Sequence, residues 1–151
     1  MNDISYAPLF LSASPTGREN RWNFFLAGFR RSASARRLMA QMRRRSPIPP
    51  DRWGPNPERY AFAGALAAII REDIPWPNTH FIPEDPMRLV LFRLDSQGLF
   101  WDHMEIESIF HGLGMMIGRP LSAEEINALY QGSFGDAVDR LWTIKKESHI
   151  E

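Results

Sequence analysis

Cysteine is absent from this chain of 151 residues. Disulfide bonds, thiol nucleophiles and thiolate metal ligands are therefore excluded, and the absence fits a reducing compartment. Long apolar runs are missing as well, since the longest ones, 24–29 and 61–70, fall well short of the roughly 20 residues that cross a bilayer. We therefore expect a cytoplasmic protein without a transmembrane helix, and a peripheral membrane position as an alternative.

Features of a secretory signal peptide are also lacking. Asp3 precedes every basic residue, and no continuous apolar core leads to a small-residue cleavage site. The segment 18–46 is nevertheless rich in arginine, contains serine and is poor in acidic residues, a composition that is also typical of an organelle transit peptide. A secretory signal is not expected, and a transit peptide stays open as an alternative.

No set of side chains typical of catalysis is recognisable, so we expect a protein that is not an enzyme. His103, Glu107 and His111 recur at steps of four. The two histidines would lie about 12 Å apart along a helix, too far to share one metal ion. We interpret the three residues as a polar face and expect no metal site. Asp102 and Glu105 belong to the same stretch and are candidates for contact with a basic partner.

Acidic residues are missing between positions 30 and 45, where arginine is abundant. Up to position 52 the chain holds ten arginines against three acidic residues, a net charge of +7, whereas the rest has eight basic and fifteen acidic residues, a net charge of −7. Charge asymmetry of this kind points to nucleic acid, membrane or acidic protein partners. The candidate partner-binding arginines are Arg30, Arg31, Arg36, Arg37, Arg43, Arg44 and Arg45.

Apolar residues recur at helical spacing in two clusters around these arginines, at 22–29 and 38–42. The pattern predicts one long or two short helices with arginine along the polar flank. Such a helix can lie on an anionic membrane, neutralise nucleic-acid phosphates or meet a protein partner. The alternative is that 22–29 packs against the remainder of the chain and leaves 30–45 as a solvated basic face.

Proline divides the chain. Five prolines lie between Ser46 and Pro57, and they exclude a continuous helix there because each removes a backbone donor and fixes φ. We therefore predict two parts: a basic N-terminal arm with a proline-rich hinge at 1–52, and an acidic helical domain at 53–145.

Local signals after the prolines predict an all-α fold, a small bundle of three to four helices. Asn56 is the expected cap of a first helix that begins at Pro57 and ends at Asp73. A long loop follows, which Trp76 is expected to anchor in the core. The short apolar run 87–92 is predicted to form a helical turn because Pro86 precedes it.

A second long helix is predicted from about Leu99 to Gly112, where Gly112 and Gly114 signal its end. An extended segment at 115–117 and a turn are expected to follow. Two capping boxes then open a short helix and a last helix: Ser122 with Glu125, and Ser133 with Asp136.

Three short segments, in this order, resemble the acyl carrier protein family in its broad sense, over about 56–142. They are Phe-Ile-Pro-Glu-Asp-Pro at 81–86, Leu-Ser-Ala-Glu-Glu at 121–125 and Ser-Phe-Gly-Asp-Ala-Val-Asp-Arg-Leu at 133–141. The resemblance implies a helical bundle that presents an acidic surface to its enzymes. Together with the basic arm, it leads us to expect a non-enzymatic, carrier-like interaction domain tethered to a protein or membrane surface.

In carriers of this family, a serine in an Asp-Ser-Leu motif carries 4′-phosphopantetheine. Here Asp95-Ser96 is followed by Gln97-Gly98, which is also ordinary turn chemistry. Two further hypotheses therefore stay open: a functional acyl or peptidyl carrier that uses Ser96, and a membrane or nucleic-acid adaptor that acts through the arginines.

Overall fold

Helices form the regular structure of this chain. The structure, a computed structural model, describes residues 6–11, 33–92 and 103–148, and these contain no β-strand. The prediction of a small all-α bundle is confirmed. The elements are α1 at 33–43, a 3-10 helix at Pro50–Trp53, α2 at Pro57–Asp73, α3 at Met87–Val90, α4 at His103–Ile117, α5 at Ala123–Gln131 and α6 at Phe134–Ser148.

Capping side chains mark the starts of three helices, as the sequence predicts. Asn56 accepts a hydrogen bond from the Glu58 amide (3.0 Å) at the start of α2, which satisfies one of the free N–H groups there. Before α5, the Glu125 amide donates to Ser122 Oγ (3.2 Å) and the Ser122 amide donates to Glu125 Oε1 (2.9 Å). The same reciprocal pair opens α6 (3.0 and 3.1 Å): Ser133 with Asp136.

The core lies between α2, α4 and α6, which pack against one another. The long loop after α2 enters this core through Trp76 and Phe81, both buried. The Trp76 indole N–H donates to the Val90 carbonyl oxygen (2.9 Å), which confirms its predicted anchoring role. Phe81 packs against Phe134 of α6 with the rings tilted by 42° (centroids 5.2 Å apart), and Phe134 meets Trp53 edge-on (5.5 Å). The rings therefore join the 3-10 helix, the loop and α6.

The end of α4 differs from the prediction. The helix continues past Gly112 to Ile117, so the predicted end at Gly112 and the predicted extended segment 115–117 are wrong. Gly118 ends the helix instead: its φ is 92°, a conformation that favours glycine. The Gly118 amide donates to the Gly114 carbonyl oxygen (2.9 Å).

Glycines inside α4 permit close packing. A Cβ added at Gly112 would lie 3.1 Å from Ile69 of α2, and one added at Gly114 would lie 3.0 Å from the Arg119 carbonyl oxygen. Hydrogen in place of a side chain lets α2 and the chain after α4 approach the helix. Sequence alone does not distinguish such glycines from those that stop a helix.

Residues on both sides of the predicted boundary at 52/53 share one core. The apolar cluster at 38–42 buries side chains against the bundle, and the proline-rich segment 46–57 runs over the core without separating two units. The described part of the basic segment is therefore not an appendage, which corrects the expected division. The buried residues that 6–53 contribute are Leu9, Ala35, Leu38, Met42, Ile48 and Trp53.

Candidate functional site: a basic face on α1

α1 presents one side to the core. Ala35, Leu38 and Met42 are buried, at the spacing of three and four residues that places them on one side of a helix. The Asn78 side-chain amide donates to the Met42 carbonyl oxygen (3.0 Å) and so satisfies a group at the C-terminal end of the helix. Packing and this loop contact together fix the position of α1 on the bundle.

The other side of α1 carries exposed arginines. Positions 36 and 43, like 37 and 44, are seven residues apart, which is close to two helical turns and about 10 Å. Among the described residues, no carboxylate pairs with Arg37, Arg43 or Arg44. We call the four exposed arginines the basic face: Arg36, Arg37, Arg43 and Arg44.

Arg45 has a different environment from its neighbours. Its side chain is buried, and its two Nη atoms each donate to a carboxylate oxygen of Asp85 at 2.6 Å. The guanidinium also donates to the carbonyl oxygens of Ala7 (2.8 Å) and His80 (3.0 Å). The prediction that Arg45 contacts a partner is wrong, because a buried, bidentate ion pair uses its charge within the molecule.

Asp85 joins the N-terminal segment to the bundle. Its carboxylate accepts hydrogen bonds from the amides of Leu9 and Ile82 (2.9 Å each) in addition to those from Arg45. Its backbone carbonyl oxygen accepts from the Phe134 amide of α6 (2.7 Å). Four donors thus satisfy the two carboxylate oxygens, as a fully buried charge requires.

The N-terminal segment also brings an aromatic side chain beside the basic face. The Phe10 amide donates to Gln41 Oε1 (3.0 Å), and Gln41 Nε2 donates to the Phe10 carbonyl oxygen (2.8 Å). Gln41 lies on α1 four residues after Arg37 and three before Arg44, so each arginine is about one turn away. The Leu9 side chain is buried, whereas Phe10 is 67% exposed.

A second surface lies between the end of α4 and the start of α5. There Arg119 donates through both Nη atoms to the Glu125 carboxylate (2.9 and 2.8 Å). Hydrogen bonds from this guanidinium, and next from the Ser122 amide, lower the pKa of Glu125 from its ordinary value to about 2. Arg119 is therefore not available to bind an anion. The surface is a cleft with a mostly apolar lining. Its volume is about 550 Å³, and its lining includes Phe110, His111, Met115, Arg119 and Leu121.

Several predicted site residues lie outside the described part of the chain. These are Arg30, Arg31, Ser96 and Asp102. Glu105 belongs to α4, and its side chain is outside what the structure describes. Attachment of phosphopantetheine at Ser96 and partner contact through Asp102 and Glu105 therefore stay predictions.

The described side chains hold no arrangement for metal chemistry. Within 6–11, 33–92 and 107–148, no three His, Asp or Glu side chains are placed so that they could hold a metal ion. Glu107 and His111 are exposed on α4, as expected of a polar face. In the same part of the chain, no helix has the length and hydropathy needed to cross a membrane.

Sequence reasoning missed three residues of the site: Asp85, Gln41 and Phe10. The burial of Arg45 did have a signal, because positions 35, 38, 42 and 45 continue one helical spacing of buried residues. Gln41 and Phe10 lie 31 residues apart in sequence, and no local pattern connects them. No protein-family model, curated protein or solved structure matches this chain.

Proposed function

We propose that this chain is a non-enzymatic helical interaction domain that binds an anionic surface, of a protein or a membrane, through the basic face of α1. One observation carries the proposal: α1 buries one side in the core and exposes arginines on the other. A packed helix holds its charges at fixed spacing. Binding therefore costs less conformational entropy than binding through a disordered basic tail.

The spacing of the basic face favours an extended partner over a small anion. The arginine pairs at 36/37 and 43/44 are about 10 Å apart along the helix, farther than one phosphate or carboxylate reaches. No acidic residue occurs between positions 30 and 45, so α1 itself holds no opposing charge. A surface with many negative groups gains contacts with both pairs and is attracted over a Debye length of about 8 Å at physiological salt.

The arrangement after α2 supports a carrier-like layout for this domain. The first and last segments that resemble acyl carrier proteins, 81–86 and 133–141, lie against each other: the Gly135 amide donates to the Pro83 carbonyl oxygen (2.9 Å), and the Phe134 amide to that of Asp85 (2.7 Å). A long loop after α2 and a short helix before the last one agree with the same resemblance. We therefore propose a carrier-like bundle in which α1 provides the contact with the partner.

Retention on immobilised heparin, used as a polyanion, tests the proposal. We expect R43Q/R44Q to elute at lower salt than the wild type, because it has lost two exposed charges of the basic face and counterion release scales with the charges neutralised. The control R88Q/R140Q removes two exposed arginines from α3 and α6 and is expected to elute with the wild type. Circular dichroism verifies that each variant is folded.

Two outcomes contradict the proposal. Equal shifts for both double variants would mean that retention follows net charge and not the basic face. A wild-type protein that passes through the column at low salt would mean that the basic face does not bind a polyanion.

A further inference from the structure

We infer that Phe10 and the basic face form one contact surface for an anionic phospholipid membrane, with the Phe10 ring in the interface and the arginines among the headgroups. The inference rests on the proposed function and identifies the anionic surface as a membrane. It adds an apolar contribution that salt does not screen.

Phe10 is held beside α1 by its backbone and not by its ring. On its N-terminal side, the Leu9 amide donates to Asp85 (2.9 Å), and Arg45 donates to the carbonyl oxygen of Ala7 (2.8 Å). At position 10 itself, Gln41 binds both the amide and the carbonyl group. The ring remains 67% exposed, so an ordered segment presents an apolar side chain to solvent.

The arginines lie close to the segment that carries the Phe10 ring. Gln41 is about one turn from Arg37 and from Arg44 on the same side of the helix, so the ring is fixed next to a residue that both arginines flank. Helices that lie in the membrane interface pair aromatic rings at the acyl boundary with arginines among the headgroups. Long arginine side chains reach the phosphates while their methylene groups remain in apolar surroundings.

A membrane suits this pair of features better than a nucleic acid or an acidic protein. The Phe10 ring has no hydrogen-bonding group, and on a duplex the bases are stacked away from it. An acidic protein would need a pocket shaped for the ring. A membrane interface accepts an apolar side chain without a preformed pocket, and its anionic headgroups attract each nearby arginine.

Sedimentation with vesicles of equal parts phosphatidylcholine and phosphatidylserine tests the inference, using the full chain and, for comparison, vesicles of phosphatidylcholine alone. We expect F10A to lower the partition coefficient about tenfold at every salt concentration. R43Q/R44Q is expected to lower it about thirtyfold at low salt and less at high salt. The control M115A removes a side chain that is 74% exposed on α4 and is expected to bind as the wild type does.

The outcomes separate this inference from the proposed function. If heparin retention depends on the basic face but the wild type does not bind the anionic vesicles, the membrane assignment fails and the proposed function stands. The inference is also overturned if F10A binds the vesicles as the wild type does, if M115A is weakened as much as F10A, or if the wild type binds double-stranded DNA more tightly than the vesicles. If neither heparin nor vesicles are bound, both proposals fail.

Discussion

The environments of three consecutive arginines differ. Arg43 and Arg44 are exposed, whereas the next residue, Arg45, is buried and bonded to Asp85. A buried guanidinium is tolerated only where its charge is paired and its N–H groups find acceptors. Asp85 and two carbonyl oxygens provide those acceptors here. Exposed arginines and a buried, ion-paired arginine thus meet at the C-terminal end of α1.

R45M is expected to lower the free energy of unfolding by about 3–5 kcal/mol, because it leaves the carboxylate of Asp85 buried without its charge partner. Methionine has a similar length, so the loss reports charge and hydrogen bonding more than volume. Urea denaturation followed by circular dichroism measures the change.

The neighbouring substitution R44M is the matched control. Arg44 is exposed, so its replacement is expected to change the stability by less than about 0.5 kcal/mol. A similar, small effect for both substitutions would contradict the role assigned to the ion pair.

At the scale of the elements, glycines with the same helical conformation have different surroundings. Gly64 of α2 is exposed and has no atom within 4 Å of an added Cβ. Gly114 of α4 is buried, and its added Cβ would lie 3.0 Å from the Arg119 carbonyl oxygen. A backbone carbonyl group cannot move aside as easily as the end of a flexible side chain can. The packing of α4 therefore depends on glycine at position 114.

G64A and G114A are therefore expected to change stability in opposite directions. Alanine at position 64 is expected to stabilise the protein by about 0.5–1 kcal/mol, because glycine loses more conformational freedom in a helix. The same gain at position 114 is outweighed by overpacking against Arg119, and we expect a net loss of about 1 kcal/mol. Thermal and urea unfolding of the two variants measure both values. Stabilisation by G114A would show that the turn after α4 adjusts freely.

At the scale of the whole molecule, the division of charge along the chain does not correspond to a division of the core. The segment with a net charge of +7 places Leu38 and Met42 in the same cluster as Leu66 of α2. Arg36, Arg37, Arg43 and Arg44 of the same segment remain exposed on the outside of α1. The two parts of the sequence also meet through charge, since Arg45 pairs with Asp85 and Arg52 with Glu84.

L38A and L66A are expected to have similar effects, each lowering the free energy of unfolding by about 2–5 kcal/mol with a single transition. Both side chains are fully buried, one before and one after the proline-rich segment. Deletion of residues 1–46 removes part of this core and the partner of Asp85, and we expect the remainder to lose its sharp unfolding transition. A cooperative transition in the shortened chain would contradict the shared core. A small effect of L38A beside a large one of L66A would also contradict it, and either result would indicate that the chain after the prolines folds independently.

Much of the fold follows from local sequence. Asn56 with Pro57, and the capping boxes at 122/125 and 133/136, act within one helical turn, so their hydrogen bonds were predictable from spacing alone. The end of α4 was not predictable, because it depends on what packs against Gly112 and Gly114. The candidate site was predicted in part: arginine on α1 was evident, whereas its arrangement and the neighbouring Phe10 were not.

The sequence by itself determined an all-α chain, the starts of three helices and a concentration of positive charge before the prolines, because these depend on neighbours within a few residues. Only the tertiary structure decided which charge pairs with Arg45, since its partner Asp85 lies 40 residues away in sequence. It also decided that Phe10 lies beside α1. Partners distant in sequence meet only when the chain packs, and burial of a charge or exposure of a ring is a property of that packing.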